Sequence, residues 1–201
     1  MSFDRSFLAR SPLEVAPRIL GSIITADSPE GQVSLRITEV EAYLGAKDPG
    51  SHAFRGKTNR NAVMFGEPGH LYTYFTYGMH TCANVVCSPE GTASGLLLRA
   101  GEIIDGVELA RSRRATTRTD ADLARGPARL TVALGIALSD GGVDLQTGRI
   151  RLQLADSDST HLSGPRTGLS GPGGGDDYPW RFWLPGEASV SPYKRHTPKK
   201  S

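Results

Sequence analysis

The stretch LYTYFTYGMHTCANVV, residues 71–86, decides how the chain folds. Leu71–Thr76 and Thr81–Val86 are rich in aromatic and β-branched residues, which favour strands. Tyr77-Gly78-Met79 between them supplies the turn, so the segment predicts an antiparallel hairpin. A second hairpin precedes it: Gly21–Thr25 and Val33–Tyr43 read as strands about the turn Ser28-Pro29-Glu30-Gly31. Gly95–Ala100 reads as a short apolar strand, and further strands are expected near Arg149–Leu154 and Trp180–Leu184. Helices are expected over Ser11–Leu20, with Ser11 as N-cap and Pro12 in the first turn, over Glu102–Arg114, and over Pro127–Ile136. Residues 44–61 read as a polar loop, and SGPGGGDD at 170–177 as a flexible loop with no packing logic. Hairpins in succession, with helices set apart from them, predict an α+β domain with a mostly antiparallel sheet.

Bulk properties narrow the class. The 201 residues, 38% hydrophobic and 22% charged, suit one globular core. There is no internal repeat and no linker, so residues 1–193 are expected to form a single domain and 194–201 a disordered basic tail. No apolar run approaches the roughly 18 residues of a membrane span. The first residues lack the basic-then-apolar order of a signal peptide. Cys82 and Cys87 alone make neither a disulfide framework nor a zinc site, and a cytoplasmic protein with buried thiols is expected. Net charge is only +2, but its distribution is uneven. Arg111, Arg113, Arg114, Arg118, Arg125 and Arg129 crowd one stretch, opposed there only by Asp120 and Asp122. Arg55, Lys57 and Arg60 form a second cluster, and Lys194, Arg195, Lys199 and Lys200 a third. Solvated faces explain such clusters as readily as a nucleic-acid surface does.

Three segments can carry chemistry. In EVEAYLG, 39–45, residues alternate along a strand, so Glu39, Glu41 and Tyr43 share a face. Either that face is wet and the acids are ordinary, or it walls a pocket and Glu41 can serve as a general base. His52 follows on the polar loop, where a histidine is more often surface than catalytic. In the 71–86 hairpin, Tyr72 and Tyr74 share a face, and Tyr77 at the tip can pack in the sheet or wedge between base pairs. Asn84 on the returning strand needs partners if buried, and Arg99, ending an apolar strand, needs a carboxylate or phosphate. At Gly126-Pro127-Ala128-Arg129, a helix start beside a basic side chain is either a plain cap or a phosphate site. No P-loop, dinucleotide fingerprint, metal-ligand spacing or Ser/Cys nucleophile motif occurs.

Taken together, EVEAYLGAKDPGSH (39–52), NAVMFGEPGHLYTYFTYGMHTCANV (61–85), GLLLRA (95–100) and GPARLTVALGI (126–136) resemble the alkyladenine, or methylpurine, DNA glycosylases of the mammalian type, in order and spacing, from about Leu8 to Tyr193. The resemblance implies a curved antiparallel sheet with a protruding hairpin, and no metal or cofactor. By it, Glu41 activates the attacking water, which Arg99 and the Val190 main-chain carbonyl help to hold. Tyr43, His52 and Tyr74 sandwich a flipped base, and Asn84 disfavours guanine's exocyclic amine. Tyr77 fills the gap left in the duplex, with Met79 and Leu97 packing on the groove side. Compared with the animal members, the segment between His52 and Met64 is one residue shorter. Ala128 stands where a more polar residue is usual. The partner implied is double-stranded DNA containing damaged purines, bound by a monomer that hydrolyses the N-glycosidic bond without a lyase step. A nucleic-acid-binding module of related fold without chemistry is the alternative. An ordinary small-molecule hydrolase is a third possibility, disfavoured by the hairpin tip and the arginine clusters.

Overall fold

The computed structural model describes residues 3–76 and 78–197. Tyr77, the expected wedge, and Lys199 and Lys200 of the expected tail lie outside the described residues. The chain begins with α1 (Arg5–Leu8) and α2 (Pro12–Ile19), the latter capped by the Ser11 hydroxyl, which accepts from Leu13 N–H. Then come β1 (Ile23–Ser28), β2 (Gly31–Tyr43), β3 (Leu71–Thr76), β4 (His80–Val86) and β5 (Gly95–Asp105). Helices α3 (Val107–Arg113) and α4 (Pro127–Leu134) precede three short strands, β6 (Ile150–Gln153), β7 (Leu162–Gly164) and β8 (Arg181–Trp183). The described strands form one open antiparallel sheet in the order β3-β4-β5-β2-β1-β6, with β8 added beside β2 and β7 beside β8. The α+β class and the hairpin order are as the sequence predicts.

The long strand β2 organises the molecule. Along one edge it pairs with β5; along the other it pairs first with β1 and then, over Glu39–Glu41, with β8. Its register against β5 shifts on both sides of Glu39. Ala100 lies opposite Glu39 and Leu98 opposite Val40, so Arg99 has no residue facing it in the ladder. Irregularities of this kind bend a strand and re-aim side chains.

Two expectations fail. The short strand at Gly95–Ala100 runs on to Asp105, and the helix expected from Glu102 starts only at Val107. The Ile103, Val107, Ala110 spacing straddles two elements: Ile103 pairs with Leu35 in the sheet, and Gly106, at φ +70°, makes the break. The 170–177 loop also has a packing logic. Gly173 lies so close to Gly50 that a Cβ on it would stand 2.6 Å from Gly50 N, and its carbonyl accepts from Arg166.

The main core gathers Val15, Ile19, Leu20, Ile24, Val33, Leu35, Ile37, Val40, Leu96, Leu98, Leu130 and Leu134 between the sheet and its helices. A smaller cluster, Ala53, Met64, Tyr72, Val86 and Ala93, joins the 44–66 connection to the β3–β4 hairpin. Asn61 orders that connection, donating to the carbonyls of His52 and Gly56, each at 3.0 Å. Cys87 is buried in the main core and Cys82 beside the cavity described next. Among the described residues no helix is long and apolar enough to cross a membrane.

Candidate active site

A cavity of about 240 Å³ opens where β2, β3, β4 and β5 meet the 44–66 connection and the segment after β7. Its wall contains Glu41, Tyr43, His52, Tyr72, Tyr74, Asn84, Leu97 and Arg99, with Thr167, Gly168 and Leu169 on another side and Pro127 at the start of α4. The sequence left Glu41's face open between solvent and pocket. Burial decides it, because Glu39 is 0% and Glu41 1% exposed. Both sit on an interior strand, and buried carboxylates need donors.

Glu41 receives Tyr43 O–H on Oε2 at 2.9 Å and Thr167 N–H on Oε1 at 2.7 Å, with Arg99 Nε 3.5 Å from Oε1. Glu39 is fully engaged. Its Oε1 accepts from Arg99 Nε at 2.9 Å, Arg181 Nε at 2.5 Å and Ser191 Oγ at 3.0 Å, and its Oε2 from Ser191 N–H at 2.7 Å. Burial works against charge on Arg99, but the carboxylates of Glu41 and Glu39 outweigh it and hold the guanidinium above its ordinary value. Burial, and then the charge of Glu41, push the Tyr43 phenol well above its usual range, so it stays a donor.

The aromatic wall is set by strand alternation. Tyr72 and Tyr74 lie on one face of β3, their rings stacked at 5.8 Å, and the His52 ring meets Tyr74 edge-on at 4.5 Å. His52 Nδ1 lies 3.2 Å from Tyr72 Oη. Desolvation, and then the nearby positive charge of Arg60, hold His52 below its ordinary pKa. An uncharged imidazole beside phenol rings suits a flat, cationic guest. Burial likewise raises Tyr72, Tyr74 and the Cys82 thiol. Asn84 donates its amide to Tyr72 O at 3.2 Å and also lines the cavity.

The candidates do not all meet here. Val190 is outside the cavity wall, and its carbonyl accepts from Arg125 Nε at 2.9 Å. Its neighbour Ser191 caps Glu39 instead. Leu97 is buried in the cavity wall, opposite both Glu41 and Asn84. Met79 stands at the hairpin turn, 70% exposed. Arg129 is half-exposed in the first turn of α4, its Nη1 at 4.0 Å from Asp122.

Sequence reasoning missed what holds the cavity together. Arg166 and Asp48 form a fully buried bidentate pair, at 2.6 and 2.7 Å, and Arg166 also donates to Ala42 O at 2.9 Å. The guanidinium lies 4.5 Å from the Tyr43 ring centre and 5.1 Å from that of Trp180. It therefore fixes Tyr43 from behind and seats Thr167, the next residue, on Glu41. Arg181 does for Glu39 what Arg166 does for Tyr43. The only signal in the sequence was that Asp48 and Arg166 are charged residues flanked by glycine or proline.

Comparison with known proteins agrees with this geometry. The model of the family described as Methylpurine-DNA glycosylase matches residues 6–188. A protein of Leifsonia xyli subsp. xyli named "Putative 3-methyladenine DNA glycosylase" is 62% identical over 196 residues, covering 95% of this chain and 92% of that protein. Proteins of the same name from Streptomyces avermitilis and Nocardia farcinica are 53% and 51% identical, over 98% and 94% of this chain and 93% and 90% of theirs.

Proposed function

The chain belongs to the methylpurine-DNA glycosylase family, and from that premise we propose that it removes alkylated purines from duplex DNA by flipping them into the Glu41 cavity and hydrolysing the N-glycosidic bond. The observation that carries this reading is Glu41 itself. It is a buried carboxylate, oriented by Tyr43 and Thr167, facing a cavity walled by aromatic rings. A purine alkylated at ring N3 or N7 is cationic. The carboxylate attracts it, and the rings stack on its faces. When the C1′–N bond breaks, its electron pair neutralises the departing base. The sugar is left oxocarbenium-like, as in glycoside hydrolysis. Water adds to C1′ and gives its proton to Glu41. Arg99, held by Glu39, stands 3.5 Å from Glu41.

Burial also argues for flipping, since Glu41 is 1% exposed in the cavity wall and a base still stacked in the duplex would not reach it. Extrusion costs a few kcal/mol and is cheapest at damaged pairs. The hairpin tip, with Tyr77 and the exposed Met79, is where a wedge would enter the duplex. Among the described residues no lysine lines the cavity, which supports a reaction by water without a lyase step. A neutral lesion such as hypoxanthine needs a proton on its leaving group as well.

The test is to incubate the protein with methylated duplex DNA and assay free base and strand integrity. Release of methylated purine, with the strand uncut until alkali is added, is expected. Tight binding without release would favour the non-catalytic reading. Tyr77→Ser should slow release from duplex more than from single strands, and equal slowing on both would remove the wedge.

A further inference from the structure

Among the six arginines of residues 111–129, the structure separates those already neutralised from those that are not. Arg111 grips both oxygens of Asp120, at 2.9 and 2.8 Å, and reaches Glu108 at 2.6 Å. Arg113 contacts Glu30 and Ser28, and Arg125 contacts Asp122. Arg114 meets no carboxylate. Its sole side-chain partner among the described residues is the Leu123 carbonyl, 3.3 Å from Nε. The exposed Arg118 side chain has no hydrogen bond or ion pair among the described residues.

These two cations share a cleft of about 270 Å³ with Arg111, Thr117 and Asp120. Asp120 is spent on Arg111, so the cleft keeps a positive excess. Thr117 lines it too, and its hydroxyl oxygen is buried with no partner among the described residues. A buried hydroxyl without a partner, lining a cleft with two guanidiniums that meet no carboxylate among the described residues, is what an oxyanion with several acceptor oxygens would complete. Burial, and then the positive charge of Arg129, also hold Arg114 below its ordinary value, with Asp122 only partly offsetting them. The cleft is joined to the cavity through the chain. Leu123 lines it, and the next few residues lead to Pro127 on the cavity wall and Arg129 one helical step beyond.

We propose that Arg114, Thr117 and Arg118 bind a backbone phosphate of the DNA strand whose damaged base enters the Glu41 cavity, extending a phosphate track that passes Arg129. The assignment rests on the glycosylase reading. It is separable from that reading because it concerns binding and not bond cleavage.

The experiment compares wild type with Arg118→Ala, Arg114→Gln/Arg118→Gln and Thr117→Val, using fluorescence anisotropy on a methylated duplex across salt concentrations. Base release by wild type is followed in parallel. Each phosphate contact contributes about 0.9 to the slope of log affinity against log salt. Because the two arginines share one phosphate, the double variant should lower the slope by about 0.9 and so lose about 3.5-fold less affinity than wild type between about 50 and about 200 mM salt. Arg118→Ala should show about half the slope change, and it removes no contact within the fold. Thr117→Val should fold normally and bind DNA a few-fold more weakly. Arg18→Gln, an exposed arginine of α2 outside the cleft, should leave the slope unchanged. Identical slopes and affinities for wild type and the cleft variants would overturn the proposal. A cleft that takes inorganic phosphate, seen as a phosphate-dependent rise in Tm lost in the variants, with DNA affinity unchanged, would also overturn it. If the slope falls as expected but wild type releases no base, the site stands and the catalytic reading fails.

Discussion

Glu39 and Glu41 are the same residue type, on the same strand, facing the same way, and both are buried. Their surroundings differ at one point, which is what lies over them. Over Glu39 close β8 and the 189–193 segment, bringing Arg181 and Ser191, and both carboxylate oxygens are consumed. Over Glu41, among the described residues, only Thr167 N–H arrives from outside the sheet, and beyond it is cavity. An ionised carboxylate has about four lone-pair sites, so Glu39 is saturated and Glu41 keeps capacity for a water. One acid holds the arginines, and on the proposed reading the other is left to react. Arg99 touches both, so the structural acid sets the position of the cation beside the reactive one.

The comparison breaks most visibly at Glu39. Glu39→Leu leaves Arg99 and Arg181 buried without their shared carboxylate, which should cost about 3–5 kcal/mol of unfolding free energy. Denaturant unfolding measures this, and a loss under about 1 kcal/mol would mean that Glu39 is not the acid holding them. Tyr43→Phe sharpens the other side. It keeps the ring and removes one donor from Glu41; a hydrogen bond to a charged group is worth about 1.5–3 kcal/mol. Single-turnover base release should slow about tenfold to a hundredfold, with DNA affinity unchanged. An unaltered rate would show that Glu41 does not need that donor.

The smallest effect is on pH. His52 has its pKa lowered from 6.5 in the folded protein. The unfolded chain therefore takes up its proton at a higher pH, so the stability His52 allows is intact above about 6.5 and is lost as pH falls through the folded value. A protonated His52 also repels a cationic purine. Release of methylated purine should decline as pH falls through the lowered folded value of His52, which lies below 6.5, and in His52→Phe the decline should shift to lower pH. An unshifted profile would assign the decline to another group.

Local pattern made much of this legible. The hairpins, the Ser11 cap, the Pro127 helix start and the shared face of Glu39, Glu41 and Tyr43 all follow from periodicity and turn chemistry within a few residues. What escaped depends on distant residues meeting. Arg166 and Asp48 lie 118 positions apart, and Arg181 and Glu39 142 apart, so no spacing rule relates them. The extension of β5 past Gly101 was hidden because a glycine weakens a strand reading. Here it is what allows close pairing, since a Cβ would stand 2.5 Å from Arg36 O. Val190 is tied to the site by segment resemblance alone, and in the structure its carbonyl accepts from Arg125.

The central claim is that Glu41 does chemistry where Glu39 does structure. The most direct measurement is single-turnover release of base from methylated duplex by Glu41→Gln, with DNA affinity and unfolding free energy measured on the same preparation. The account predicts a rate lower by about 10²–10⁴-fold, with binding and stability close to wild type. A rate near wild type, or a loss of activity that merely follows a loss of folding, would contradict it.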